Sequence, residues 1–192
     1  MRIVLVEPQH PGNIGAVARA MANFGLEDLA MVKGCDLADE SYARSKSGRP
    51  ILENSKRYNS IEEAISKCDI AIGTSGIRPE GDKRWFRAPE NVEKINEIIA
   101  EREKPALIFG RENYGLYREE LALCEATITI PTNPEYPILN LSHAVAIVLY
   151  EIKRKEKVKG PKKRKNVSQD EFERLVDRIM DLLENSSYPE RR

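Results

Sequence analysis

Short apolar runs of strand length alternate with helix-period segments over residues 1–154, and this alternation limits the fold more than any other feature. "RIVLVE" (Arg2–Glu7) is unbroken and apolar, as a strand buried on both faces must be. "NIGAVARAMANFG" (Asn13–Gly25) carries Ile14, Val17, Ala18 and Met21 on one helical face and stops at a glycine. "LAMV" (Leu29–Val32) is a second strand, and a less regular stretch follows. "SIEEAISKC" (Ser60–Cys68) opens with Ser60 and Glu63, the spacing of a capping box. "DIAIGTSG" (Asp69–Gly76) predicts a strand, "NVEKINEIIAERE" (Asn91–Glu103) an amphipathic helix, and "PALIFGRENYGL" (Pro105–Leu116) a strand with a polar turn. "ATITI" (Ala126–Ile130) is the last strand, and a long apolar helix runs from Leu139 to about Lys153. Strands separated by helices predict an α/β fold, a parallel sheet flanked by helices.

The character changes after that helix. "KRKEKVKGPKKRK" (Lys153–Lys165) is densely basic and broken by Gly160 and Pro161. Residues 168–185 carry an apolar stripe of Phe172, Leu175, Val176, Ile179, Leu182 and Leu183 behind a Ser168 N-cap. The predicted organisation is a main domain at 1–154, a basic linker at 155–167 and a helical extension at 168–192. The formal net charge is zero, so a nucleic-acid partner must be met by a local patch. Cys35, Cys68 and Cys124 are odd in number and far apart, which predicts reduced, buried thiols. No apolar run reaches a membrane span, and the first residues enter a strand directly, so the expected location is the cytoplasm, with no membrane association.

Four predicted strand ends carry unusual loops: "PQHPGNIGAVAR", "GTSG", "GRENYGL" and "PTNPEYPILN". Ligands of parallel sheets sit at the carboxyl ends of strands. The first loop lacks the second glycine of a dinucleotide fingerprint, and no GxxxxGK[ST] occurs, which disfavours Rossmann and P-loop nucleotide sites. No spacing suggests a metal site, and His10 and His143 read as surface or structural histidines. The last loop holds Pro131, Pro134 and Pro137 and is therefore stiff. Such a loop offers main-chain groups to an adenine and ribose at little ordering cost, with Asn140 capping the helix behind it.

Three blocks, "NIGAVARAMANFG", "LIFGRENYGL" and "IPTNPEYPILNLSHAVAIVLYE", resemble the SpoU/TrmH branch of the SPOUT RNA methyltransferases, and within it the TrmJ type. The likeness covers about Arg2 to Arg154. It implies a deep C-terminal trefoil knot, an obligate homodimer, and S-adenosylmethionine bound in the knot and released as S-adenosylhomocysteine, with no metal. It also implies 2′-O-methylation of tRNA at nucleotide 32, a cytidine or a uridine. Another tRNA position, a ribosomal RNA, or a non-catalytic RNA-binding role are the alternatives. Carried over residue by residue, Asn13 and Arg19 match the first motif. Thr74, Ser75 and Gly76 match a cofactor-contacting turn. Gly110 matches the second-motif glycine, followed by Arg111 and Glu112. Ile130, Pro137, Ile138 and Leu139 match main-chain contacts to adenine, and Asn140 is the third-motif asparagine. Ile138 departs from the pattern, because many relatives have serine there.

Methyl transfer from a sulfonium to a ribose hydroxyl needs positioning and proton removal rather than a metal. Arginine is a poor base, so Arg19 reads as an electrostatic and positioning group. Arg111 and Asn13 complete the predicted catalytic set. "RPEGDKRWFRAPE" (Arg78–Glu90) mixes cations with aromatics, which suits RNA. Arg78, Arg84, Trp85 and Arg87 are its predicted RNA contacts, joined by Lys162, Lys163 and Arg164 from the basic linker.

Overall fold

The structure, a computed structural model, describes residues 1–76, 89–154 and 168–185. The predicted RNA contacts Arg78, Arg84, Trp85, Arg87, Lys162, Lys163 and Arg164 lie outside these residues, as does the basic linker.

Seven strands form one sheet: β1 (Arg2–Val6), β2 (Asp28–Val32), β3 (Lys56–Tyr58), β4 (Ile70–Ser75), β5 (Glu90–Asn91), β6 (Pro105–Phe109) and β7 (Ala126–Thr129). Their order is β3-β2-β1-β6-β4-β7-β5, and every pairing is parallel. The predicted parallel sheet flanked by helices is what forms. Every side chain of β1 and β6 is buried, which explains their continuous apolar sequences.

The period of two divides each strand between two cores. Ile3, Leu5, Leu29, Met31, Ile72, Leu107, Phe109 and Ile128 face the bulkier core. The helices α1 (Pro11–Asn23), α3 (Arg49–Glu53), α5 (Ile95–Ile98) and α7 (Leu141–Arg154) contribute to that core. Val4, Val6, Ala30, Val32, Ala71, Ala106 and Ile108 face the other, with Ile61 and Ala64 of α4 (Ile61–Ile65) and Leu121 of α6 (Arg118–Leu121). The predicted α1 stripe is fully buried, and Arg19 lies on its exposed side.

Several elements differ from the sequence reading. The irregular stretch after β2 contains α2 (Asp39–Ser45), α3 and the edge strand β3. The buried residues of α2 are Ser41 and Ser45, so it has no apolar stripe to find. It packs so closely on α1 that a Cβ on Gly15 would strike the Ser41 backbone. The helix predicted over Asn91–Glu103 is broken. Asn91 ends β5 and caps a 3-10 turn through Glu93 N–H at 3.1 Å, and α5 covers only Ile95–Ile98. The chain is then drawn to the start of β4, where Asp69 accepts from the Glu103 and Lys104 N–H groups at 2.6 and 3.0 Å. The Ser60 cap forms, accepting from Glu63 N–H at 3.2 Å, but the Glu63 carboxylate reaches back to Asn59 N–H instead of Ser60, and α4 ends at Ile65.

The chain divides into two compact units, Met1–Glu156 and Lys157–Arg192. The second contains α8 (Gln169–Asn185), whose N-terminus carries a complete capping box. Ser168 Oγ accepts from Glu171 N–H at 3.3 Å, and Glu171 accepts from Ser168 N–H at 3.0 Å. None of the described helices is long and apolar enough to cross a membrane.

Candidate functional site

The four strands whose carboxyl ends carry the unusual loops are consecutive neighbours, β1-β6-β4-β7. Their loops therefore converge on one edge. Between them lies a cavity of about 300 Å³, walled by Phe109, Ile128, Ile130, Leu141 and Ala144. Its volume is at the small end for ligand pockets. Thr74, Ser75, Gly76, Gly110, Pro137, Ile138 and Leu139 complete the wall, so the predicted cofactor residues gather here with the exception of Asn140. The Thr74 hydroxyl donates to the Ile108 carbonyl at 3.0 Å and ties β4 to β6 at the cavity floor.

The β6 loop turns back on itself. Arg111 and Gly115 exchange backbone hydrogen bonds, and Gly115 has φ +65°. A Cβ on Gly110 would land on the Gly115 carbonyl, so glycine is needed for the close approach. The turn presents Tyr114, Leu116, Tyr117 and Arg118 to the cavity. These four are absent from the sequence-based site; the aromatic and basic spacing of "NYGLYR" is the signal that marks them.

Arg111 is buried and occupied. Its Nη1 and Nη2 donate to the two Glu120 oxygens, both at 3.0 Å, and Nε donates to Glu7 at 2.9 Å. Its guanidinium also lies over the Tyr117 ring, 4.1 Å from the centroid. Burial works against its charge, but the two carboxylates outweigh that and raise its pKa. Glu7 holds its end of the bridge in a left-handed backbone conformation, φ 46°, rare for a side-chain-bearing residue. Arg111, placed in the catalytic set by the sequence, joins the β1 loop to the β6 loop while lining the cavity.

Glu112 does similar work on the outer side. It accepts from the backbone N–H groups of Gln9 and His10, at 3.0 and 3.2 Å, and from Asn13 Nδ2 at 2.9 Å. Asn13 Oδ1 in turn accepts from Asn140 Nδ2 at 3.0 Å. Asn140 Oδ1 caps α7 through Ser142 N–H at 2.9 Å. One chain of polar contacts therefore joins the loops after β1, β6 and β7. Desolvation would raise the Glu112 pKa, but the hydrogen bonds from Asn13, Gln9 and His10 outweigh it and hold the carboxyl below its usual range. The β7 loop is also pinned internally, with Thr132 Oγ1 donating to the Pro137 carbonyl at 3.0 Å.

Asn13 and Asn140 line a second cleft, which shares Glu112, Pro137, Ile138 and Leu139 with the cavity. His10 and His143, distant in sequence, both line this cleft. Arg19 lines neither space; six residues beyond Asn13, it lies about 9 Å further along α1 and is exposed.

Residues 1–150 match the model of the SpoU rRNA Methylase family. The chain belongs to this family. It is 42% identical, over 80% of its length and 67% of the relative's, to the tRNA (cytidine-2′-O-)-methyltransferase TrmJ of Methanocaldococcus jannaschii. Identity is 37% to the Sulfolobus acidocaldarius enzyme of the same name, over 96% of this chain and 78% of that one. The crystal structure of TrmJ from Z. mobilis superimposes with a TM-score of 0.72 at 28% identity, covering 98% of this chain and 82% of that chain. The SpoU family match spans β1 to most of α7 and so includes every loop of the site.

Proposed function

We propose that the protein is an S-adenosylmethionine-dependent tRNA ribose 2′-O-methyltransferase of the TrmJ type, acting at nucleotide 32 and favouring cytidine. The observation that carries this reading is the convergence of four loops on an apolar cavity, at the positions where the family motifs fall. Likeness to two relatives named for cytidine 2′-O-methylation of tRNA supports the substrate. The residues present fit the cofactor: apolar side chains suit an adenine, and the stiff backbone of residues 137–139 suits its ring edge.

The bound cofactor supplies an activated methyl group and leaves as S-adenosylhomocysteine. The chain's own work is placement. Gly110 and the β7 loop shape the cavity, and the Glu112–Asn13–Asn140 contacts fix the loops relative to one another. Arg19 holds the target phosphate and ribose and stabilises charge on the reacting oxygen. Its distance from the cavity within one chain supports an obligate homodimer, in which Arg19 completes the partner's site.

The finer features belong to the same reading. They are a trefoil knot, cytoplasmic location, no metal, and a basic linker that holds RNA. The insertion of β7 between β4 and β5, strands that precede it in sequence, supports the knot. Arg78, Arg84, Trp85 and Arg87, with Lys162, Lys163 and Arg164, supply RNA contacts, and the domain limits are 1–154, 155–167 and 168–192.

The test is to incubate purified protein with labelled S-adenosylmethionine and tRNA, then map ribose methylation by nucleotide. Methylation of cytidine at nucleotide 32 is expected. Label on ribosomal RNA alone, or none on any RNA, overturns the reading.

A further inference from the structure

The cleft beside the cofactor cavity has a volume of about 840 Å³, and its exposed lining, like its neighbour's, is mainly apolar. Its polar groups are amides, imidazoles and a phenol, from Asn13, Asn113, Asn133, Asn140, the two histidines and Tyr136. Its single charged lining group, Glu112, already accepts three hydrogen bonds, and no lysine or arginine lines the cleft among the described residues. Such a surface suits a neutral, hydrogen-bonding, flat ligand. A nucleoside has that character.

Tyr136 is the unusual member. The residue is 81% exposed, yet its backbone is tied into a turn. Tyr136 N–H donates to the Asn133 carbonyl at 3.0 Å, and Asn133 Oδ1 accepts from Glu135 N–H at 3.0 Å. Pro134 and Pro137 restrict the chain on either side. An aromatic ring displayed on a preorganised turn can stack on a base without a large ordering cost. The ring also stands one residue before Pro137–Leu139, the wall shared with the cofactor cavity.

We propose that this cleft is the target-nucleoside subsite and that Tyr136 is the platform on which the base of the flipped-out nucleotide stacks. The proposal rests on the methyltransferase reading above and adds the place of the base to it. Stacking takes the target out of its neighbours' stack and presents the ribose to the shared wall. The phenol hydroxyl has no part in this, so phenylalanine serves as well as tyrosine.

The experiment compares wild type, Tyr136→Ala and Tyr136→Phe in single-turnover methyl transfer to tRNA. Cofactor binding by calorimetry and sedimentation of each protein accompany it. For Tyr136→Ala the second-order rate with tRNA should fall by about 5- to 150-fold, the range expected for one base–aromatic stack. Tyr136→Phe should stay within about twofold of wild type, with cofactor affinity and sedimentation unchanged in both. An unaltered rate for Tyr136→Ala overturns the proposal. So does a lost rate accompanied by weaker cofactor binding, or by a change of oligomeric state, which would make Tyr136 a cofactor or subunit contact. Absence of methyl transfer by the wild-type protein would instead remove the enzymatic reading itself.

Discussion

Replacing Glu112 with glutamine should loosen the junction of three loops without altering its shape. In the native chain the carboxylate accepts from two backbone N–H groups and from Asn13 Nδ2. It also stands at the N-terminus of α1, where negative charge is favourable by about 0.3–1 kcal/mol. A hydrogen bond to a charged acceptor contributes about 1.5–3 kcal/mol. The contacts with Gln9 and His10 are exposed, however, so water replaces much of what they lose. Glutamine keeps one acceptor oxygen and turns a donor toward the other N–H groups. The net cost is about 1–2 kcal/mol, a fall in Tm of roughly 2–8 °C for a chain of this size. Because the folded-state pKa is lowered, the wild-type advantage is present above the unfolded value of about 4.3. It is lost as pH falls through the folded pKa. Thermal denaturation of both proteins from pH 7 down to pH 3.5 should show the Tm gap closing on the acid side. Equal Tm values at pH 7, or a gap that persists unchanged in acid, would refute the role given to this carboxylate.

Arg19→Ala should leave folding and cofactor affinity nearly intact, since the side chain is exposed. Single-turnover methyl transfer should fall by more than about 100-fold, the scale of losing one preorganised donor, and a near-wild-type rate would remove Arg19 from the mechanism. Arg111→Met should destabilise the protein by about 3–5 kcal/mol in urea denaturation, because Glu7 and the largely buried Glu120 lose their shared partner. An unchanged urea midpoint would contradict the clamp. Burial and the nearby Glu125 and Glu120 push the Cys124 thiol up to about 12. Native protein treated with iodoacetamide at pH 8 should therefore carry label on Cys35 or Cys68 and none on Cys124, as mass spectrometry of the peptides would show.

What could be read from the sequence was what burial writes into it. β1, β4 and β6 announce themselves because apolar side chains fill both faces. The stripe on α1 is legible for the same reason. β3 leaves little trace, since Lys56 and Arg57 on the sheet edge are exposed, and α2 leaves none because serines meet glycine there. The loops of the site could be named, but their joining could not. That Glu112 meets Asn13 and Asn13 meets Asn140 depends on strand order, which places β6 beside β1. The same limit applies to Arg111, whose partners Glu7 and Glu120 come from opposite sides of it in sequence. His10 and His143 read as unrelated surface groups until the fold puts them on one cleft.

The order β3-β2-β1-β6-β4-β7-β5 also bears on how the chain is made. β1, β2 and β3 can pair as soon as they leave the ribosome, but the other edge of β1 must wait for residues 105–109. At synthesis rates of about 5–20 residues per second, that wait lasts roughly 5–20 s. During it, a row of unpaired backbone donors and acceptors on an apolar strand stands open, a template for pairing with another nascent chain. The chain is therefore open to edge-to-edge aggregation while it is being made, and slowing elongation between β3 and β6 should lower soluble yield without changing the stability of what folds.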